Sequence, residues 1–323
     1  TLAEQQVAID VAAAYYRLVA QRAFVDVTRQ SLERARKLRD ASEAKLDAGL
    51  VSQLDVLRAQ QLVSQAEMQF FDAQSATEDA RDQLQFLLGR TIEAAFDVDR
   101  EIPRPDPTPI DIDAAVSAAR RNRLDLKIRA DRSADSEHQI RFARNQLLPQ
   151  VDVNLALTRR ETSNTFAKSF GVDGYQFATF FTIAMPVDRT ASLVEYQTSL
   201  LERDRQRRDL TTFERQMGDD VKRTAREQDR SLRTLAAADA NVDLGRREVD
   251  VAQLRYERGL SNNLDVVTAE SNLLMAETRR IQALADSAIV RLRLRAMLGI
   301  FNPRTDVTGG ATLPVQIARV PPW

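Results

Sequence analysis

Residues 49 to 89 are written a second time at 259 to 299, and this repetition limits the possible folds more than any other feature. Gly49, Leu50, Leu54, Asp55, Val56 and Ala59 recur as Gly259, Leu260, Leu264, Asp265, Val266 and Ala269, all shifted by 210 positions. Farther along, Ala66, Glu67, Ala73, Arg81, Leu84, Leu88 and Gly89 recur as Ala276, Glu277, Ala283, Arg291, Leu294, Leu298 and Gly299 in the same register. A register kept without a gap over this length is the mark of a duplicated structural unit. Each copy reads as a long helix, a tight turn at the glycine and a returning helix closed by Leu-Gly.

Glycine and proline punctuate the rest. Between Thr1 and Ile102 there is no proline, and Gly49 and Gly89 are the only glycines. This predicts one helix to about residue 48 and another over about 52–88. Val11, Tyr15, Leu18, Phe24, Leu32, Ala35, Leu38, Ala41 and Leu46 keep three-and-four spacing between charged faces, as in a coiled-coil hairpin. Alanine is frequent on these stripes and lets neighbouring helices approach closely.

Pro103, Pro105, Pro107 and Pro109 alternate in an acidic stretch that reads as an extended connector. Helix resumes near Asp111 or Asp113, either of which suits a cap, and runs with a break near Asn122 to about Leu147, before Pro149. From Val151 to Thr158 apolar residues alternate with small or polar ones, which is the period of a strand with one oily face. A polar loop with Gly171 and Gly174 leads to a second strand over Tyr175–Met185, with Phe177, Thr179, Phe181, Ile183 and Met185 on one side. Such strands are long enough to cross a bilayer when tilted. Two strands leave bare edges, so closure is expected from strands outside this chain. After Pro186 the next proline is Pro303, which predicts one helix of about seventy residues before Gly259 and a return helix from about Asn263 to Leu298. The tail from Asn302 to Trp323 reads as irregular.

Composition restricts function. The formal net charge is −1, which favours neither nucleic acid nor acidic membrane. Cysteine is absent, excluding disulfides and thiolate chemistry. The chain starts at Thr1 without a leader and reads as a processed protein or a fragment. No Ser-His-Asp set, phosphate-cradling glycine loop or paired metal ligands stand out. We therefore expect no enzymatic activity, cofactor or metal. His138 reads as a surface residue, and Arg203, Arg205, Arg207 and Arg208, interspersed with acids, as a solvated face.

Two helical hairpins with Gly-Leu turns and an oily strand pair between them resemble the TolC family of outer-membrane efflux and secretion ducts. The resemblance is carried by Gly49-Leu50-Val51-Ser52-Gln53-Leu54-Asp55-Val56 and Gly259-Leu260-Ser261-Asn262-Asn263-Leu264-Asp265-Val266 at the turns. Leu88-Gly89, Leu298-Gly299, Asn122-Arg123-Leu124-Asp125-Leu126 and Leu148-Pro149-Gln150-Val151 add to it, in order, over nearly the whole chain. It implies a mainly α fold of antiparallel coiled-coil hairpins, with a strand pair belonging to a trimeric outer-membrane β-barrel. It also implies a helical domain in the periplasm. The expected segments are a first hairpin at 1–89, a connector with shorter helices at 90–147, the membrane strand pair at 148–186, a second hairpin at 187–301 and the tail at 302–323. A full member would carry a further N-terminal helix and strand pair, which this sequence lacks.

The implied function is a passive exit duct of a tripartite efflux pump or type I secretion system, gated at its periplasmic helical tip. The implied partners are two further copies in a homotrimer, a periplasmic adaptor protein, an inner-membrane pump and outer-membrane lipid, with no nucleic acid. By position, Gly49, Leu50, Val51, Gly259, Leu260 and Ser261 match adaptor-docking turns. Asp55 and Tyr256 match a hydrogen-bonded latch between hairpins, and Asp265 an acid of the constriction ring. Ser261 and Thr268 depart from the prototype, standing where it has a latching Arg and a second ring acid. That departure implies a looser latch and a weaker cation ring. Plainer readings stand beside these: the glycines as simple helix caps, the aspartates as partners of helix dipoles, Tyr256 as packing, and Phe177, Phe180 and Phe181 as a soluble core. A soluble coiled-coil scaffold or periplasmic adaptor is the competing reading of the whole chain.

Overall fold

The computed structural model describes residues 2–89, 102–105, 110–159 and 175–301. Pro107, Pro109, the loop with Gly171 and Gly174, and the tail beyond Phe301 lie outside the described residues. The element order is α1 (Leu2–Asp47), α2 (Gln53–Leu87), α3 (Ile112–Asn122), α4 (Leu124–Asn145), β1 (Gln150–Arg159), β2 (Tyr175–Ala184), α5 (Thr190–Glu257) and α6 (Asn263–Met297). The ends of the long helices fall two residues before Gly49, Gly89, Gly259 and Gly299, and α5 starts four residues after Pro186. At 1.5 Å per residue α1 is about 70 Å long and α5 about 100 Å. Such helices are held by their neighbours rather than by intrinsic propensity.

The chain divides into two compact units, Thr1–Leu124 with Gln216–Trp323, and Asp125–Arg215. In the first unit α1 packs antiparallel on α2 along one face and on α6 along another. Leu32, Ala35 and Leu38 of α1, Ala59, Leu62 and Val63 of α2, Val249 and Tyr256 of α5, and Val266 and Leu273 of α6 form a single core cluster. Small side chains set the spacing. Gly245 of α5 lies so close to α6 that an added Cβ would stand 3.4 Å from the Leu273 Cα. Higher on α1, Ala12, Ala13 and Tyr16 meet Ala288, Ile289 and Leu292 of α6. Burial pushes the Tyr16 phenol above its ordinary pKa, against a smaller opposing pull from Arg291.

The duplication persists in side-chain contacts between the helices, even where the residues differ. Arg36 pairs with Glu67 at 2.8 Å in the first hairpin, and Arg246 pairs with Glu277 at 3.2 Å at the positions 210 residues on. Gln60 bonds Glu43 at 3.3 Å, and Gln253 bonds Glu270 at 3.1 Å, so the amide and the acid have exchanged helices while the bridge stays in place.

Of the two candidate caps, Asp111 is the one used: its carboxylate accepts from the backbone N–H groups of Asp113 and Ala114 at 2.9 and 3.3 Å. Helix α3 buries Ala115, Ala118 and Ala119, and its end turns directly beneath Gly299. Gly299 has φ +69, and a Cβ there would stand 2.8 Å from the Asn122 carbonyl carbon, so both conformation and close approach require glycine.

In the second unit β1 and β2 form an antiparallel pair in which Val151 faces Ile183, Val153 faces Phe181, Leu155 faces Thr179 and Leu157 faces Phe177. The Arg129 guanidinium of α4 lies over the Phe213 ring of α5, 4.2 Å from its centroid. His138 is exposed on α4. Arg203 and Arg205 pair with the neighbouring acids Asp204 and Glu202 on a solvated helix face.

Candidate functional site

The two Gly-Leu turns come together. Gly49 and Gly259 both adopt φ +71, a left-handed conformation that glycine takes without a Cβ penalty. At the first turn the Gly49 N–H donates to the Leu46 carbonyl and the Leu50 N–H to the Lys45 carbonyl, each at 2.8 Å. At the second, the Gly259 N–H donates to the Tyr256 carbonyl at 3.1 Å and the Leu260 N–H to the Arg255 carbonyl at 2.8 Å. These are Schellman closures of α1 and α5, identical in pattern. With both helices closed the same way, Gly49, Leu50, Val51, Gly259, Leu260 and Ser261 line one cleft of about 910 Å³, with Lys45 and Arg258 on its wall. Leu50 and Leu260 are 74% and 68% exposed, an unusual position for leucine at a tight turn unless something covers it.

Behind the cleft lies a buried polar knot. Ser42 on α1 donates its hydroxyl to the Leu38 carbonyl at 2.8 Å, and its oxygen is 2.9 Å from the Tyr256 hydroxyl and 3.0 Å from the Asn263 amide nitrogen. A hydroxyl has one hydrogen and two lone pairs, so Ser42 is saturated when Tyr256 and Asn263 both donate to it. Asn263 also donates to the Asp55 backbone carbonyl at 3.0 Å. Lys45 donates to the Tyr256 backbone carbonyl and stands 3.9 Å from the Tyr256 ring centroid. The cation thus sits at the negative end of α5 and against an aromatic face, both favourable. One polar cluster therefore ties α1 and α2 of the first hairpin to α5 and α6 of the second.

The resemblance implies a hydrogen-bonded latch between hairpins at Asp55 and Tyr256. Both are buried between the hairpins, but each is held by another partner. Asp55 closes a capping box with Ser52, accepting from its N–H at 3.1 Å and its hydroxyl at 2.7 Å, and lies 3.6 Å from Arg58. Tyr256 bonds Ser42. Ser42, Lys45 and Asn263 were missed. The repeat carried the signal: Ser42 stands where the second copy has Ala252, and Asn263 where the first has Gln53.

Asp265 and Thr268 are exposed on α6. The Ser261 hydroxyl donates to the Asp265 carboxylate, and the Thr268 hydroxyl turns back to the Leu264 carbonyl at 2.8 Å. Ser261, at the position of a latching Arg in the resemblance, is thus spent on the neighbouring acid of its own turn.

The strand pair is a site of another kind. On one face Val151, Val153, Leu155, Leu157, Phe177, Phe181 and Ile183 are all at least 53% exposed, with Thr179 among them. The opposite face carries Gln150, Asp152, Asn154 and Thr158 against Gln176 and Thr182. The register also places Phe180 on this polar face, opposite Asn154, and leaves Phe177, Thr179, Phe181 and Ile183 together on the other, as the alternation predicts. The cause is the period of two: neighbouring aromatics must point to opposite sides. A ribbon apolar on one side and polar on the other, with the apolar side bare, suits a barrel wall between lipid and water.

Long paired helices, a bare oily hairpin and a doubled turn are the features by which this fold can be compared with others. Among the described residues no group of acids and histidine is placed to hold a metal, and no helix is long and apolar enough to cross a membrane. The profile of the outer membrane efflux protein family matches residues 2–90 and 115–300, and the chain belongs to that family. It is an outer-membrane channel chain whose helical part is periplasmic. The outer-membrane channel OprN superposes with a TM-score of 0.76 at 19% identity, over 92% of this chain and 67% of that one. VceC, the outer membrane protein of Vibrio cholerae, gives 0.72 at 16% over 91% and 70%. The open-state MtrE channel of Neisseria gonorrhoeae gives 0.73 at 17% over 93% and 67%. These likenesses fix the fold. Comparison with curated protein sequences finds no match.

Proposed function

We propose that three copies of this chain form the gated exit duct of a tripartite efflux pump or type I secretion system. The strand pair supplies part of a shared outer-membrane barrel, and the twin turns meet a periplasmic adaptor linked to an inner-membrane pump. The observation that carries the reading is the coincidence of both Gly-Leu turns in one cleft, backed by a polar knot that joins the two hairpins. Exposed Leu50 and Leu260 offer an adaptor apolar contacts. Ser42, Lys45, Tyr256 and Asn263 resist separation of the hairpins.

Opening is a two-state shift in which adaptor contacts at the turns replace the knot's bonds. Each bond contributes about 0.5–1.5 kcal/mol net, so a few bonds in each of three copies make a barrier that docking can overcome. Asp265, on the exposed face of α6 in the turn region, is the residue proposed to meet its copies as a carboxylate ring, with Thr268 adding no charge. The test is conductance of the purified full-length protein in planar bilayers. The wild type should conduct poorly, and Ser42→Ala combined with Tyr256→Phe should raise open-channel conductance several-fold. Equal conductance of the two would remove the knot from the gate, and no conductance by either would remove the duct.

A further inference from the structure

Within the chain, α1 and α6 meet along an apolar seam. Ala13 and Tyr16 of α1 pack with Ala288, Ile289 and Leu292 of α6, and Ala20 packs with Ile281 and Ala285. Lower down, Arg34 bonds Glu270 at 2.6 Å. Because the hairpins are copies 210 residues apart, this seam has an equivalent in which α5 stands for α1 and α2 stands for α6.

The equivalent residues are charged. Ala13, Tyr16, Ala20 and Ala23 become Arg223, Arg226, Arg230 and Arg233, a single-sign stripe down one face of α5. Ala288, Ile289 and Leu292 become Glu78, Asp79 and Asp82 on α2. All seven are exposed, with Arg223 and Arg233 76% and 80% so. Arg223 and Arg233 pair with acids of their own helix, Asp220 and Asp229. Each stripe alone reads as a solvated helix face. The repeat, however, assigns the two to each other, and their charges are opposite. Between them Arg34 and Glu270 are replaced by Leu244, 61% exposed, and Gln60.

We propose that the seam between copies is built by this substitution: the basic stripe of α5, Arg223 to Arg233, pairs with Glu78, Asp79 and Asp82 on α2 of the next copy. The inference rests on the homotrimer reading above and deepens it by naming the contact and its register. An apolar seam suits helices of one chain, which meet once and stay buried. A charged seam suits surfaces that must remain soluble before assembly, because α5 repels α5, α2 repels α2, and only the head-to-tail pairing that closes a ring is attractive.

These 323 residues contain no cysteine, so a designed pair placed among them has no nearby thiol to compete with it. Tyr16 and Ala288 share a cluster in the internal seam, and their equivalents are Arg226 and Glu78. In the full-length protein in detergent, oxidation of the double variant Arg226→Cys with Glu78→Cys should give a covalent trimer on a non-reducing denaturing gel, and neither single variant should. A trimer by light scattering that yields no disulfide would overturn the seam while leaving the homotrimer standing. A monomer by light scattering in the wild type would overturn both. As a second route, Glu78→Arg with Asp82→Arg should abolish the trimer, and adding Arg223→Glu with Arg226→Glu should restore it. A trimer untouched by the first pair of changes, or not restored by the second, also overturns the proposal.

Discussion

The two return helices are the same element placed in different surroundings. Helix α2 buries Val56, Ala59, Val63 and Leu84, and α6 buries their copies Val266, Ala269, Leu273 and Leu294. Helix α6 additionally buries Ala285, Ala288, Ile289 and Leu292, whose counterparts on α2 are Ser75, Glu78, Asp79 and Asp82. The extra burial comes from α1, which covers α6 along a second face. Among the described residues nothing covers that face of α2, where Ser75, Glu78, Asp79 and Asp82 are exposed. One repeated frame therefore separates a surface that is internal from one that is exposed, and the exposed one is the surface proposed above to meet the next copy.

Polar groups follow the same division. The largest expected effect is at Glu270, which is 3% exposed and held by Arg34 and Gln253. Glu270→Ala leaves the half-buried Arg34 without its acid and should cost about 2–4 kcal/mol in thermal unfolding followed by circular dichroism. Its counterpart Gln60 is exposed, and Gln60→Ala should change stability by less than about 0.5 kcal/mol. Equal losses would show that the two hairpins are packed alike.

A smaller contrast separates the closing glycines. Gly299→Ala faces both a left-handed φ and the Asn122 backbone, whereas Gly89 has φ +64 with open space where a Cβ would stand. The first change should cost about 3 kcal/mol and the second about 1 kcal/mol in the same melts. If the two cost the same, the close approach of α3 is not a constraint.

At the polar knot, Ser42→Ala should cost about 1–2 kcal/mol, because the Tyr256 hydroxyl and the Asn263 amide both lose an acceptor while buried. Hydrogen exchange at 256–263 should speed up, with no change at 190–215. The smallest contrast lies in the caps. Ser52 accepts from the Asp55 N–H at 3.3 Å within a capping box, whereas Asn262 makes no side-chain cap bond. Ser52→Ala should cost about 1 kcal/mol and Asn262→Ala a few tenths.

Much of this was legible in the sequence, for identifiable reasons. Helix ends were marked by Gly49, Gly89, Gly259 and Gly299 because only glycine closes a helix in the left-handed region without strain. The strands showed their alternation because one face is apolar throughout. Less was legible where a contact is long-range: Arg34 and Glu270 are 236 positions apart, and neither carries a local signal that the other is near. Ser42 and Asn263 were hidden for a related reason. A single polar residue in an alanine-rich stripe looks tolerated until its copy in the other hairpin is seen to be different. Phe180 falls on the polar face beside Phe181 because the period of two, and not residue type, fixes where each side chain points.

The claim that the oily ribbon faces lipid is tested most directly by single cysteines at Val153, Asn154 and Leu155 in the full-length protein in outer-membrane vesicles, with no cysteine among the other residues of this sequence to compete for label. The account predicts that a water-soluble maleimide labels position 154, while a lipid-soluble one labels 153 and 155. Rapid aqueous labelling at all three positions would contradict it.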